Sequence, residues 1–175
     1  MALPNAISWL HCIGVGLLLI GLILHIVGLA TPNWATISVL RETLTLGLWK
    51  SCVRDICFDL LPDYSMADIL NATRAFAIMA MLAGVKGLGL ACLHIVRCIQ
   101  ARPETQILRL GTLAAGITAL VCVIISCSVY GAGIHKKEAD TKDIHTGFSL
   151  ILSAVGGVTI CVGSVIFYVA CLMKS

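Results

Sequence analysis

Charge is what this chain has least of. Only 12% of its 175 residues are Asp, Glu, Lys or Arg, with 59% hydrophobic, against about 25% charged in a soluble domain. Asp and Glu are missing altogether from the long apolar runs, which excludes an internal ion pair or a paired-carboxylate acid–base site there. No Cys-x-x-Cys pair occurs among the nine cysteines, which excludes the dithiol chemistry of small thiol oxidoreductases. The net charge is +3 and the basic residues are dispersed, so no basic patch exists for nucleic acid. There is no internal repeat, no low-complexity segment and no soluble domain.

What remains is an integral membrane protein, with mean hydropathy +1.00. A bilayer crossing takes about 20 mostly apolar residues. Four segments qualify, at about 9–30, 75–96, 110–130 and 148–173, and the whole chain, 1–175, reads as one membrane domain. No basic residue precedes the first run and it is too long for a signal-peptide core, so it is expected to stay as a span. Four spans put both termini on one side.

Counting Lys and Arg does not assign that side. Arg97, Arg102, Arg109 and Lys174 fall on one face; Arg41, Lys50, Arg54, Arg74, Lys136, Lys137 and Lys142 fall on the other. The cysteines decide instead. Cys52 and Cys57 are the two cysteines clear of the spans, and a close pair in a polar loop suits a disulfide on the oxidising side. Segments 31–74 and 131–147 are therefore expected outside the cell, the termini and 97–109 in the cytoplasm. On this topology Asn71-Ala72-Thr73 is a candidate glycosylation sequon, though close to the second span.

The 31–74 connector is large enough to fold. Trp34–Leu40, Leu44–Cys52 with a bend at Gly47, and Ile56–Leu60 read as three short strands, the cysteine pair closing the second hairpin. Pro62-Asp63 reads as a turn, and Ser65 with Asp68 as the cap of a helix running into the second span.

Trp34, then Gly47-Leu48-Trp49 and Cys52 with Cys57, together with Asn71-Ala72-Thr73-Arg74 opening the second span, resembles the signature of the claudin superfamily. That group joins claudins, peripheral myelin protein, the epithelial membrane proteins and the lens fibre membrane intrinsic protein. The short cysteine spacing, and Gly147-Phe148-Ser149 opening the fourth span, look most like the epithelial and lens branch. The resemblance spans the whole chain. It implies an all-α membrane four-helix bundle carrying a small extracellular antiparallel β-sheet in its first loop. It also implies a plasma-membrane protein of cell–cell contact, cell junctions or membrane-protein organisation, acting through that loop. Two alternatives are an auxiliary subunit modulating an ion channel and a paracellular barrier or pore. For the last, Arg41, Glu42, Lys50, Arg54, Asp55 and Asp59 give mixed signs and no strong ion selectivity. The expected partners are the bilayer, membrane proteins in the same or a neighbouring cell, and a second copy of the chain. Met173-Lys174-Ser175 departs from the longer scaffold-binding tail of claudins and speaks against direct scaffold anchoring. The third connector has no cysteines, unlike connexins and tetraspanins. No enzymatic activity is expected.

Other residues draw attention singly. Lys86 lies mid-span, where a charge costs several kcal/mol unless compensated; Thr118 and Thr159 lie at similar depth as hydrogen-bond partners, and snorkelling of the long stem is the plainer reading. Cys12, Cys98 and Cys171 lie near the cytoplasmic boundary as palmitoylation candidates. Cys92, Cys122, Cys127 and Cys161 are read as packed inside spans. The pairs Ala83/Gly87, Gly111/Ala115 and Ser153/Gly157 suit close helix packing. His11 and His94 are read near the cytoplasmic ends of their spans and His25 toward the outer end of the first, so the three lie at different depths and no metal site and no cofactor is expected.

Overall fold

A computed structural model describes residues 8–39, 42–53, 56–60, 64–100, 106–138 and 143–173. The expected turn at Pro62-Asp63, Arg41, Arg54, Asp55, Arg102 and the Lys174-Ser175 tail lie outside these. Four helices carry the fold: α1 (Trp9–Ala30), α2 (Tyr64–Ile99), α3 (Gln106–Glu138) and α4 (Phe148–Leu172). All four are long and apolar enough to cross a membrane. α1 packs along α4 and α2 along α3, while α3 also meets α4 and α1 touches α2.

Lipid is as apolar as Leu, so the helices are held by close backbone approach rather than by apolar burial. The α1/α4 contact shows this best. Gly14, Gly21 and Gly28 recur every seven residues along α1 and face α4, the repeat that keeps one seam on a partner helix. A Cβ on Gly21 would come within 2.7 Å of the Ile160 backbone nitrogen. Leu19, Ile20, Ile23 and Ile26 point away, exposed, as a lipid-facing surface must be.

Between α2 and α3 the polar glue is sparse and specific. The Ser126 hydroxyl donates to the Thr73 carbonyl (3.1 Å). Across three helices, His25 Nε2 meets the Ala77 carbonyl at 3.0 Å and its Nδ1 meets the Ser153 hydroxyl at 2.9 Å. A carbonyl only accepts, so Nε2 donates to Ala77, while Nδ1 faces both the hydroxyl and, at 3.4 Å, the carbonyl of Ser153.

At one end of the bundle sits a five-stranded antiparallel sheet, ordered β4-β3-β2-β1-β5. Its strands are β1 (Ala35–Val39), β2 (Glu42–Leu46), β3 (Lys50–Val53), β4 (Ile56–Asp59) and β5 (Asp143–Thr146). Two differences from the sequence reading stand out. The expected second strand is cut at Gly47-Leu48-Trp49 into β2 and β3, because Gly47 N–H turns back to the Lys50 carbonyl (2.9 Å). The third connector, to which the sequence reading assigns no strand, supplies β5, which pairs with β1 from Ala35↔Thr146 to Ser38↔Asp143. Alternation along β1 buries Ala35 and Ile37 and leaves Ser38 exposed, the period-2 pattern of a sheet wet on one face.

α2 opens at Tyr64, so Ser65 is already helical instead of being the cap expected from Ser65 and Asp68. At 36 and 33 residues, α2 and α3 are roughly 50 Å long, well beyond a hydrocarbon core of about 30 Å. Their surplus reaches the sheet: Leu70 of α2 and Tyr130 of α3 join Leu29, Trp34 and Leu48 in one buried cluster beneath it.

Candidate functional site: the sheet and its anchors

The sheet is fixed to the bundle at its first residues. Trp34 is fully buried. Its indole N–H donates to the Gly28 carbonyl at the end of α1 (2.8 Å), and its ring meets Tyr130 edge-on at 5.1 Å. A buried indole needs a partner for its N–H, and the last turn of a helix offers carbonyls without intrahelical partners. Trp34 also ties β2 to the start of α4 through its backbone: its N–H donates to the Leu46 carbonyl (2.7 Å), and its carbonyl accepts from Gly147 N–H (3.0 Å). Tyr130 closes the arrangement by donating its hydroxyl to the Leu46 carbonyl (3.3 Å).

Gly47 is required by space. A Cβ there would lie 2.5 Å from Pro32 Cα, and that contact is backbone, which cannot swing away. Gly147 is likewise pressed against Asn33. The turn after Gly47 sends the next two side chains in opposite directions. Leu48 is fully buried beneath the sheet, while Trp49 remains 41% exposed.

Arg74 of α2 holds this turn from the side. Its Nε donates to the Leu48 carbonyl (2.8 Å), and its guanidinium lies 5.0 Å from the Trp49 ring centroid. A cation over an indole face adds about 0.5–1 kcal/mol when exposed. Arg74 also reaches the Asn71 side-chain oxygen (3.4 Å). A planar guanidinium can donate sideways and stack at once, which a Lys cannot.

Cys52 and Cys57 form a disulfide, directly opposed on β3 and β4 with Cα atoms 4.0 Å apart. β4 is an edge strand with all four residues exposed. Ile56 and Phe58, two apart and so on one face, are 63% and 57% exposed.

The remaining sequence candidates are placed as follows. Asn71 is exposed, but its sequon lies inside α2 with the Thr73 hydroxyl bonded to the Ile69 carbonyl (2.7 Å). Lys86 projects from the outer face of the bundle, as snorkelling requires. Thr118 and Thr159 donate to the carbonyls of Ala114 and Val155 four residues back. Cys12 and Cys92 are exposed and Cys98 is half-buried, so Cys92 does not pack inside the bundle as expected. Cys171 is buried, which removes it as an acylation candidate. Gly87 of the Ala83/Gly87 pair faces Ala115 of α3, at 3.3 Å from an added Cβ, a packing contact within the monomer. His11 and His94, read near the cytoplasmic ends of their spans, are brought together by the fold: their rings stack with centroids 6.3 Å apart.

Comparison with known proteins agrees with this architecture. The model of the PMP-22/EMP/MP20/Claudin family matches residues 8–168, from the cap of α1 into the last turns of α4. The chain is 27% identical to Claudin-7-A of Danio rerio, the match covering 73% of this chain and 66% of that protein. It is 26% identical to Epithelial membrane protein 1 of Homo sapiens, covering 62% of this chain and 64% of that one. The chain thus spans just under two thirds of the length of the curated relatives it matches, and they come from both the claudin and the epithelial arms. A multi-pass membrane bundle, a motif-bearing sheet with its disulfide, and this match together place the chain in one group: it belongs to the PMP-22/EMP/MP20/Claudin family.

Proposed function

We propose that this protein acts at the plasma membrane in cell–cell contact or in organising other membrane proteins, with the sheet as its contact surface. In this reading the sheet is extracellular and both termini are cytoplasmic. The disulfide supports that sidedness, since such bonds persist on the oxidising face. The observation that carries the reading is the exposed apolar set of Trp49, Ile56 and Phe58 on a small, stapled sheet, Ile56 and Phe58 lying at its free edge on the same face as Ala35 and Ile37. Exposed apolar groups on a rigid surface, rimmed by charge, mark contact sites, and aromatic anchors dominate such contacts. The open β4 edge adds unpaired backbone groups that a partner strand can use. The protein is a structural or interaction protein, not an enzyme.

The test is cell aggregation in culture with Ile56→Ser/Phe58→Ser, coupled to proximity labelling from an N-terminal tag. An anchor is expected to contribute about 2 kcal/mol or more, roughly thirtyfold in affinity. Loss of aggregation and of labelled partners, with surface delivery unchanged, supports the reading. Aggregation and partners identical to wild type overturn it. Loss of a co-purifying channel subunit, with aggregation absent from wild type as well, moves the role to an auxiliary subunit in the same membrane.

A further inference from the structure

At the end of the bundle opposite the sheet, three side chains from three helices converge. His11 of α1, His94 of α2 and Cys171 of α4 are all buried, and their ligand atoms lie within 4.8 Å of one another. Cys171 Sγ is 3.6 Å from His11 Nε2 and 3.8 Å from His94 Nε2. The two imidazoles are nearly parallel, at 12°. Phe167 packs edge-on against both, at 5.5 Å each, holding the rings in register. We propose that His11, His94 and Cys171 form a binding site for a thiophilic d10 metal ion, Zn(II) or Cu(I).

The sulfur–nitrogen distances fit such an ion. A metal about 2.3 Å from sulfur and about 2.0–2.1 Å from each nitrogen, at tetrahedral angles, holds sulfur about 3.6 Å from each nitrogen and the nitrogens about 3.3 Å apart; here the two nitrogens lie within 4.8 Å of one another, and binding draws them together. Trigonal angles give about 3.7 Å from sulfur to nitrogen with the same bond lengths. Both Sγ–Nε2 separations therefore match with movements of a few tenths of an ångström. The donor set is also selective. Two imidazoles and a thiolate suit zinc and copper and are poor for magnesium or calcium, which take oxygen.

The surroundings supply a second shell on one side. His94 Nδ1 lies 3.6 Å from Cys98 Sγ, so a proton on Nδ1 is directed to Cys98 and Nε2 is left to the metal. This is the usual orientation of a ligating histidine. On the other side binding has a cost. Ser8 N–H donates to His11 Nδ1 at 3.3 Å, which puts the His11 proton on Nε2, facing Cys171. Coordination through Nε2 moves that proton to Nδ1 and breaks the Ser8 contact. The metal thereby trades a long hydrogen bond at the start of α1 for a strong bond, and the Cys171 thiol proton leaves to water. Arg109 of α3 also approaches, donating to the Cys171 carbonyl (3.5 Å). Beside that fixed cation, Cu(I) with one thiolate makes a neutral centre and Zn(II) leaves one positive charge.

This inference is independent of the proposed contact role, which concerns the other end of the molecule. The experiment uses the full chain in detergent on a Cys12→Ser/Cys92→Ser background, to remove the exposed thiols. Protein stripped with chelator is titrated with Zn(II), with Cu(I) under reductant, and with Mg(II) as control. Bound metal is counted after desalting and Tm is followed. Expected are one equivalent of Zn(II) or Cu(I) and a rise in Tm, with none from Mg(II). Co(II) loading is expected to give a sulfur-to-metal charge-transfer band. His94→Gln and Cys171→Ser should each lose the bound ion, and His145→Gln on the sheet should retain it. Failure of the unmutated protein to bind either ion overturns the proposal without reference to any variant. So does equal binding by Cys171→Ser, or a Co(II) spectrum lacking the thiolate band.

Discussion

At the sheet end, α1 hands the chain to Trp34, and everything nearby is fixed by backbone partners: Gly28, Leu46, Gly147 and Leu48 all offer a carbonyl or an N–H to an anchor. At the opposite end, the side chains of α1, α2 and α4 meet one another, with His11, His94 and Cys171 facing one another around Phe167. Backbone anchoring specifies shape whatever the surface residues are, so the exposed set of Trp49, Ile56 and Phe58 can carry recognition without carrying the fold. Side-chain convergence specifies chemistry, and it disappears with one substitution.

Trp34→Ala should have the largest effect. It removes a buried ring and leaves a cavity, at a cost of about 3–5 kcal/mol, and the Gly28 carbonyl loses its donor. Thermal unfolding in detergent should show a large drop in Tm, while alkylation of Cys171 in the folded fraction stays slow. Fast Cys171 alkylation would show the two ends to be coupled. Next is breaking the disulfide by Cys52→Ser/Cys57→Ser. Closing so short a loop is worth about 2 kcal/mol in the chain-entropy description. The loss should be confined to β3 and β4, read as faster amide exchange there with β1–β5 protection unchanged. Arg74→Gln should follow at about 1.5–2 kcal/mol, for a charge-assisted hydrogen bond and a cation–π contact. Arg74→Lys should recover only part of it; full recovery would show that geometry at the Leu48 carbonyl is unimportant. The smallest change belongs to the far end. Ser8→Ala removes the hydroxyl that caps α1 through Leu10 N–H, at about 1 kcal/mol. It should quicken Cys171 alkylation and leave cell-surface aggregation untouched.

Much of the sheet end was legible in the sequence because its signals are local. A Trp after an apolar run, a Gly-Leu-Trp turn and a cysteine pair five apart all act within the segment that carries them. Arg74 was marked as part of the motif, but its grip on Leu48 joins residues 26 apart and needed the fold. β5 was missed because Asp143-Ile144-His145-Thr146 is short, with charged neighbours, and takes strand form only by pairing with β1. The convergence at the histidine end was not legible for a related reason: His11 and Cys171 are 160 residues apart, and sharing one end of the spans does not show which side chains face one another. One signal was readable and went unused. Gly14, Gly21 and Gly28 stand seven apart in the sequence, which marks a seam of close approach along α1.

The pairing of β1 with β5 has a consequence for biogenesis. β1 leaves the ribosome about a hundred residues before its outer neighbour, and in the interval one of its edges has no mate. The sheet is complete only after α3 has crossed the bilayer and brought β5 to the face that holds β1. Its closure therefore reports that the chain up to β5 has inserted with those two strands on one side. A chain truncated or misrouted before residue 143 would present an unsatisfied β-edge, the kind of surface that retention machinery can recognise before export.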